Sequence, residues 1–255
     1  MTAEIITSLS DPEYHAHDRL SSTKLRRFLA SRRLYHAEEV GRTMERSDPS
    51  AAMTFGTLVH ELALEPEAER YRVSPKVDRR TKKGKQEFAL FEATVGRENY
   101  IVSEADYMRG QACVASLGST DNARAILWDA PGKTEQVIFW EDPESGVECR
   151  AKLDRVLEKA DWVGDLKTSK DWHPSNWSRA MFNGGYHIQA AMYLDALKAA
   201  TGRDCSYFFV VVNPQPPHEV ALYQLGAASI ELGRATYKKA LRELKGCLDH
   251  GDWLN

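Results

Sequence analysis

Three charged residues on two adjacent predicted strands have the types and spacing to bind a metal ion and act on a phosphate. Residues 147–157 and 162–168 read as strands, and a tight turn between them places Asp154 opposite Asp165. Like charges that face each other across strands destabilise a sheet, and aspartate is disfavoured in strands. A hard divalent cation such as Mg²⁺ offsets this repulsion because it binds carboxylate oxygens. The pair therefore predicts a metal site, although a longer turn would shift the register by a residue or two.

Lys167 follows Asp165 by two positions, so both side chains share one face of the strand. In such a unit the carboxylates hold the metal ion, which polarises a phosphate oxygen and acidifies a bound water. The lysine positions that water or stabilises the charge that develops on the phosphate. An acid–x–lysine unit occurs by chance in most proteins, so by itself it indicates a solvated strand end more readily than a site.

A histidine and a glutamine–tyrosine pair are further candidates on predicted helices. Residues 53–64 have apolar side chains at helical spacing and carry His60. A lone histidine there is most often structural, but a neutral imidazole beside two carboxylates is also a suitable ligand set. Glu61 points elsewhere and is expected at the surface or in support of the site. Gln189 and Tyr193 share a helix face, where they contact the phosphate or the lysine, or else pack in the core.

Pieces of the sequence resemble, in order, the motifs of one nuclease superfamily. Residues 146–169 resemble motifs II and III of the PD-(D/E)xK nucleases, an aspartate on one strand followed by (D/E)xK on the next. Residues 56–64, GTLVHELAL, resemble the helical motif of the RecB-like branch, and residues 186–197, YHIQAAMYLDAL, resemble its Q-x3-Y motif. The resemblance implies an α/β fold with a restriction-endonuclease-like core, in which helices flank a central mixed β-sheet.

The same resemblance implies a role for each matching residue. The implied metal ligands are His60, Asp154, Asp165 and Leu166. The implied catalytic residues are Asp154, Asp165, Lys167, Gln189 and Tyr193. An acid near Glu135, on the preceding strand, often supports the site in related nucleases, although an exposed strand carboxylate is an equal alternative there.

Within this superfamily the sequence is most similar to the RecE-like group, the exonuclease VIII type of phage and prophage. Residues 14–36 resemble the opening of that group, where serines cap a helix before a basic stretch. The resemblance implies a Mg²⁺-dependent exonuclease, with Mn²⁺ able to substitute, that digests one strand of duplex DNA 5′ to 3′. The single-strand tails would serve homologous recombination. It also implies a ring-shaped homo-oligomer, a trimer or tetramer, and a single-strand annealing protein as partner.

Two other functions remain open from the sequence. One is a RecB-family nuclease of another polarity or with endonuclease activity. The other is a non-catalytic DNA-binding protein with a nuclease fold, against which the intact set of His60, Asp154, Asp165 and Lys167 argues. Iron–sulfur members of the RecB-like branch need clustered cysteines. We expect no such cluster, because the four cysteines are widely spaced, at Cys113, Cys149, Cys205 and Cys247.

The charge distribution bears on DNA binding. The 255-residue chain has a formal net charge of -3, so any positive surface that binds DNA must be local. The polar stretch 74–86 is rich in lysine and arginine and is predicted to be a mobile basic loop. The candidate DNA contacts are Arg26, Arg27, Arg79, Arg80, Lys82, Lys83, Arg150 and Lys152.

The remaining pattern predicts the order of the elements. Residues 1–20 look polar and irregular, and no signal peptide or membrane span is expected, so we predict a cytoplasmic protein. We predict one domain over residues 1–255, with a helical region at about 20–130 and a catalytic core at about 130–255. In that core, strands and helices are predicted at 134–140, 147–157, 162–168, 175–200 (helix), 205–213, 219–225 and 227–248 (helix).

Overall fold

The computed structural model of the chain describes residues 3–7, 9–96 and 98–254. In chain order its elements are β1 (Ala3–Ile6), α1 (Asp11–Ala16), α2 (Ser22–Ala30), α3 (Arg32–Tyr35), α4 (Ala51–Leu64), β2 (Tyr71–Val73), α5 (Lys82–Glu92), β3 (Tyr100–Val102), α6 (Glu104–Ser119), α7 (Asp121–Arg124), β4 (Gly132–Glu141), β5 (Glu148–Leu157), β6 (Trp162–Thr168), α8 (Pro174–Asn183), α9 (Tyr186–Thr201), β7 (Ser206–Val212), β8 (Val220–Gln224) and α10 (Ala227–His250). π-Helical turns follow α3 and α7.

The described residues form a central sheet of six strands in the order β1-β4-β5-β6-β7-β8. All neighbours pair antiparallel except β6 and β7, which are parallel. Parallel neighbours need a long crossover, which α8 and α9 supply. The predicted mixed sheet flanked by helices is confirmed. Within the described ranges, no helix is long and apolar enough to cross a membrane.

Helices cover both faces of the sheet, and the side chains of β7 point alternately to the two faces. Tyr207 and Phe209 join the core that α2, α9 and α10 form on one face. Val210 and Val212 join a second core on the other face, with Leu58 of α4 and residues of α6. This alternation follows the two-residue period of a strand. Because β7 is buried on both faces, its sequence is almost continuously apolar, as predicted for a central strand.

The predicted helix over 175–200 is wrong, since the chain there forms two helices. The break lies at Gly184 and Gly185, and Gly185 has the left-handed φ of +64°. A Cβ atom at Gly185 would also lie 2.6 Å from Cδ of Arg26 on α2. The glycine therefore permits both the turn and the close approach of the first long helix.

Three other segments differ from the sequence-based expectation. The stretch 1–20 contains β1 and α1, and α1 begins with a capping box between Ser10 and Glu13; residues 1, 2 and 8 lie outside the described residues. The supposed basic loop at 74–86 is partly helical, because the Thr81 hydroxyl accepts a hydrogen bond from the Gly84 amide at 3.0 Å and caps α5. The predicted helical region also contains the short parallel pair of β2 and β3.

Candidate active site

The site lies where β5 and β6 separate. Among the described residues, these strands are joined by the pairs Arg155–Gly164 and Val156–Val163, a register that places Asp154 opposite Asp165, as predicted. At the next position, the link between the two strands is made by the Asp154 side chain and not by backbone pairing. Its Oδ2 accepts a hydrogen bond from the Leu166 amide at 2.8 Å. The first aspartate is thereby fixed to the strand that carries the acid–x–lysine motif.

Helix α4 presents His60 to this aspartate. Its Nε2 lies 3.1 Å from Oδ2 of Asp154 and 3.5 Å from Oε1 of Glu135. Burial alone would lower the pKa of His60, but the charge and hydrogen bond of Asp154, together with Glu135, raise it to about 9. Burial would conversely raise the pKa of Asp154, which the charge and hydrogen bond of His60 lower to about 2. The metal-free pair is therefore an ion pair at neutral pH.

Glu135 faces Asp154 from the other neighbouring strand. The pairs Thr134–Arg155 and Gln136–Leu153 flank it and set this register. Its φ is +52°, a left-handed conformation that is uncommon for glutamate and that persists only where the surroundings hold it. Oε2 of Glu135 lies 2.5 Å from Nζ of Lys152, and burial raises the pKa of Glu135 to about 7 despite the charges of His60 and Lys152.

The Asp165 carboxylate is buried and surrounded by donors. Its Oδ1 accepts hydrogen bonds from Nε2 of Gln189 at 2.7 Å and from the hydroxyl of Tyr207 at 2.8 Å. Its Oδ2 forms an ion pair with Lys167. Burial, which outweighs the charge of Lys167, raises the pKa of Asp165. Burial would lower the pKa of Lys167, but the charges of Asp165 and Asp154 raise it to about 12.

The two residues of the predicted Q-x3-Y pair have different neighbours. Gln189 contacts Asp165 directly, whereas the hydroxyl of Tyr193 accepts a hydrogen bond from Ser22 of α2 at 3.5 Å. The ring of Tyr186 lies beside the catalytic-motif lysine, with its centroid 5.1 Å from Nζ of Lys167. Both tyrosines line the same cleft. Tyr207 and Tyr186 were not singled out from the sequence, since aromatic residues in apolar runs carry no distinguishing signal there.

The donor set around His60 fits a metal ion. Ligand atoms of His60, Glu65 and Glu135 lie within 4.8 Å of one another, and Asp154 adjoins this group through His60. One imidazole with several carboxylates suits a hard or borderline divalent cation. Glu65 was missed because it follows the last turn of α4, where helical periodicity gives no information. The oxygens of Asp165 are occupied by other side chains, so its role as a ligand, like that of Leu166, stays a prediction.

Glu61 lies in the interior of the protein, which agrees with the predicted supporting position and not with the surface alternative. The side chain is 1% exposed and accepts hydrogen bonds from the Arg70 amide at 2.5 Å and the Tyr100 hydroxyl at 3.0 Å. Arg70 also donates to Glu65 at 2.6 Å. The buried glutamate thus fixes the segment that holds the Glu65 carboxylate near His60.

These residues open into a cleft of about 660 Å³ whose walls are rich in positive charge. The basic residues that line it are Lys24, Arg27, Arg46, Arg70, Arg150, Lys152 and Lys167. Arg27, Arg150 and Lys152 were among the predicted DNA contacts. A chain of net negative charge therefore has a local cationic surface around the acidic centre.

The other predicted DNA contacts lie away from the cleft wall. Arg26 binds the Gly184 carbonyl and stacks near Tyr186, one layer behind the cleft. Arg79 lies over the Phe88 ring at 3.9 Å, and Arg80 pairs with Asp78 at 3.0 Å. Lys82 and Lys83 belong to the first turn of α5. Contact of these residues with DNA stays a prediction.

His173 and His187 have contacts away from the centre. Nδ1 of His173 accepts a hydrogen bond from the Ser175 amide at 3.4 Å and caps α8. His187 is buried against Phe182, and burial lowers its pKa.

With this geometry established, comparison with known proteins gives the family. The model of the PDDEXK-like domain of unknown function, DUF3799, matches residues 21–254. The chain belongs to this PDDEXK-like family. Membership confirms the resemblance to the PD-(D/E)xK superfamily that the motifs indicated. No curated protein matches the sequence.

One solved structure has a similar fold. The crystal structure of a candidate exonuclease from Eubacterium rectale aligns with a TM-score of 0.66 at 13% sequence identity, over 94% of this chain and 87% of that one. At this identity the likeness is one of fold. The crystal structure of SSO0001 aligns over 72% of this chain and 85% of that one, at 13% identity and a TM-score of 0.31, which carries no argument.

Proposed function

We propose that this PDDEXK-like protein is a metal-dependent deoxyribonuclease that hydrolyses phosphodiester bonds. The main support for the proposal is the Asp154 carboxylate, which contacts residues of two separate sequence motifs. Asp154 binds His60 of α4 and the Leu166 amide, beside the ion pair of Asp165 and Lys167. Residues far apart in sequence thus meet in one cationic cleft, in the combination that phosphate-ester hydrolysis requires.

The ligand set fits Mg²⁺, which prefers carboxylate oxygens and keeps several of its waters. His60, Glu65, Glu135 and Asp154 would hold the ion, with Asp165 as the further ligand that the motif implies. When bound, such an ion polarises a phosphate oxygen and lowers the pKa of a bound water.

Lys167 acts on the phosphate as a cation. With a pKa near 12 it stays protonated at neutral pH, so it donates hydrogen bonds and does not serve as a general base. Its ammonium group lies in the cleft wall beside Asp165, where it can orient the attacking water or stabilise charge on a phosphate oxygen. Gln189 and Tyr207 hold the Asp165 carboxylate in place for this arrangement.

For the substrate we propose ends of duplex DNA, digested 5′ to 3′ to leave single-strand tails for recombination. The resemblance of residues 56–197 and 14–36 to the RecE-like group supports this proposal, and the fold shared with a candidate exonuclease agrees with it. The same resemblance supports a homo-oligomer and a single-strand annealing protein as partner. Mn²⁺ is expected to replace Mg²⁺, since both ions accept carboxylate ligands.

The decisive experiment uses linear duplex DNA labelled at either the 5′ or the 3′ end, with a covalently closed circle as control. We expect Mg²⁺-dependent loss of the 5′ label as short products, an intact circle, and no reaction in EDTA. Cutting of the circle would establish an endonuclease, and early loss of the 3′ label would show that digestion runs from 3′ to 5′. Asp165→Ala should abolish the reaction, whereas Asp249→Ala on the surface of α10 should not. Wild-type activity in Asp165→Ala would refute the proposed centre.

A further inference from the structure

Arg150 is a buried cation in the cleft, and no carboxylate of the described residues forms an ion pair with it. It lies on β5, on the same face as Lys152 and Asp154, and lines the cleft. The residue is only 3% exposed. Among the described residues, no acidic oxygen lies within the ion-pair distance of 4.0 Å from its guanidinium group. A buried charge of this kind is unfavourable unless a partner compensates it.

The hydrogen-bonding groups of this guanidinium are also incompletely used. Nη2 reaches the His15 carbonyl at 3.5 Å, and the group lies over the Tyr14 ring at 4.5 Å. Nε and Nη1 are buried and have no hydrogen-bond partner within the described part of the chain. Arginine presents its donors as a planar fork that matches two oxygens of one anion. The open donors therefore indicate an anionic ligand with several acceptor oxygens.

Neighbouring side chains add to the positive charge. Lys24 and Arg46 line the same cleft and share the carboxylate of Glu39, with Lys24 at 3.5 Å. Arg27 binds Glu38 at 3.4 Å and Glu39 at 3.5 Å. Four cations, counting Arg150, therefore surround two carboxylates, which leaves an excess of two positive charges. This excess equals the charge of a phosphate monoester near neutral pH.

The cationic group is separate from the candidate metal centre. Arg150 precedes Asp154 by four positions on β5, a separation of about 13 Å at the usual rise of a strand. The guanidinium contacts His15 and Tyr14, which are not among the candidate metal ligands. The distance suits a second phosphate of the same DNA molecule.

We propose that Arg150, with Lys24 and Arg46, forms a subsite for a DNA phosphate remote from the bond that is cleaved. The inference rests on the proposed deoxyribonuclease function and specifies how the substrate is held. The charge excess favours a terminal phosphate monoester over an internal diester. The subsite would then orient a DNA end in the cleft and place the scissile bond at the metal centre.

The test measures binding without turnover, in EDTA, so that it is independent of catalysis. Three otherwise identical duplexes carry a 5′-phosphate, a 3′-phosphate or hydroxyl ends only. We expect wild type to bind one phosphorylated duplex at least about tenfold more tightly than the hydroxyl duplex, since a hydrogen-bonded charged contact contributes that much. Arg150→Met should remove the difference. If Arg150→Met weakens the binding of all three duplexes equally, the subsite holds an internal phosphate.

Two further variants guard against a folding defect and a non-specific charge effect. Arg46→Gln changes a half-exposed side chain, so the protein should stay folded. The slope of the logarithm of the DNA-binding constant against the logarithm of the salt concentration should become less steep by about one. Arg242→Met, at an exposed position on α10, removes the same charge elsewhere and should leave binding unchanged. Unaltered affinity in Arg150→Met and Arg46→Gln would overturn the subsite. If wild type cleaves no DNA but these differences persist, the nuclease proposal fails and the subsite stands.

Discussion

Oδ2 of Asp154 lies 2.8 Å from the Leu166 amide and 3.1 Å from Nε2 of His60. One carboxylate oxygen therefore joins a strand to a helix more than 90 residues away in sequence. The amide bond fixes the position of the carboxylate, and the imidazole contact determines its charge state. Each contact can be removed separately, which makes the arrangement testable.

Asp154→Asn should separate these two contributions. The amide oxygen can still accept the hydrogen bond from Leu166, whereas the ion pair with His60 and its contribution to stability at neutral pH are lost. The negative charge is lost, so the pKa of His60 should fall from about 9 towards its ordinary value. Metal-dependent hydrolysis should decrease at least about a hundredfold. NMR titration of the His60 ring measures the first effect; an unchanged imidazole pKa would contradict the assigned ion pair.

Metal affinity should increase with pH. In the metal-free protein His60 binds a proton below a pH of about 9, and Glu135 does so below about 7. A metal ion binds only the unprotonated forms, so protons compete with it. Affinity for Mg²⁺ should therefore rise between about pH 6 and 9 and level off above the pKa of His60. Calorimetry in buffers of different ionisation enthalpy should detect proton release, and pH-independent affinity without proton release would exclude these ligands.

Gln189→Leu should weaken catalysis through Asp165. The substitution removes a 2.7 Å hydrogen bond to a buried carboxylate while keeping most of the side-chain volume. We expect about a tenfold lower turnover and a loss of about 1 kcal/mol in unfolding free energy. Single-turnover rates and denaturant titrations measure both. Gln111→Leu, which removes an exposed hydrogen bond on α6, is the matched control, and equal activity of the two variants would argue against the positioning role.

Gly233→Ala should destabilise the contact between α9 and α10. A Cβ atom at Gly233 would lie 2.2 Å from the His187 carbonyl oxygen and 3.2 Å from Cβ of Ala191. Backbone atoms cannot move aside easily, so we expect a loss of about 2 kcal/mol or more. Gly246→Ala on the same helix meets nothing within 4 Å and should be neutral or stabilising. Thermal unfolding compares the two, and similar melting temperatures would refute the close approach.

The sequence predicts the central part of the site well because that part is local. Strand β6 has the predicted bounds, and the short turn after β5 brings Asp154 opposite Asp165 without reference to any distant residue. The positions of His60 and Gln189 relative to these strands could be predicted only from the family motifs. Helical periodicity predicts which face of a helix is buried, but not which element that face packs against. The coarse fold, a mixed sheet with flanking helices, followed from the order of the periodic segments.

Other features depend on tertiary contacts that no local pattern contains. Glu65 joins the candidate metal ligands because Arg70 and Glu61 hold the chain after α4. β1 was missed because its partner, β4, lies about 130 residues further along the chain. Arg150 is buried and contacts Tyr14 and His15 of α1, more than 130 residues away in sequence. Strand alternation predicts only that Arg150 lies on the same face of β5 as Asp154.

The pairing of β1 with β4 has a consequence for synthesis of the protein on the ribosome. Ala3–Ile6 is made more than a hundred residues before Val137 to Trp140, the segment with which it pairs. At roughly 5–20 residues per second the nascent β1 waits for many seconds without a partner. The parallel strand β7 is completed later still, at Val212. The complete centre, in which Tyr207 of β7 bonds to Asp165, therefore forms only after β7 has been made.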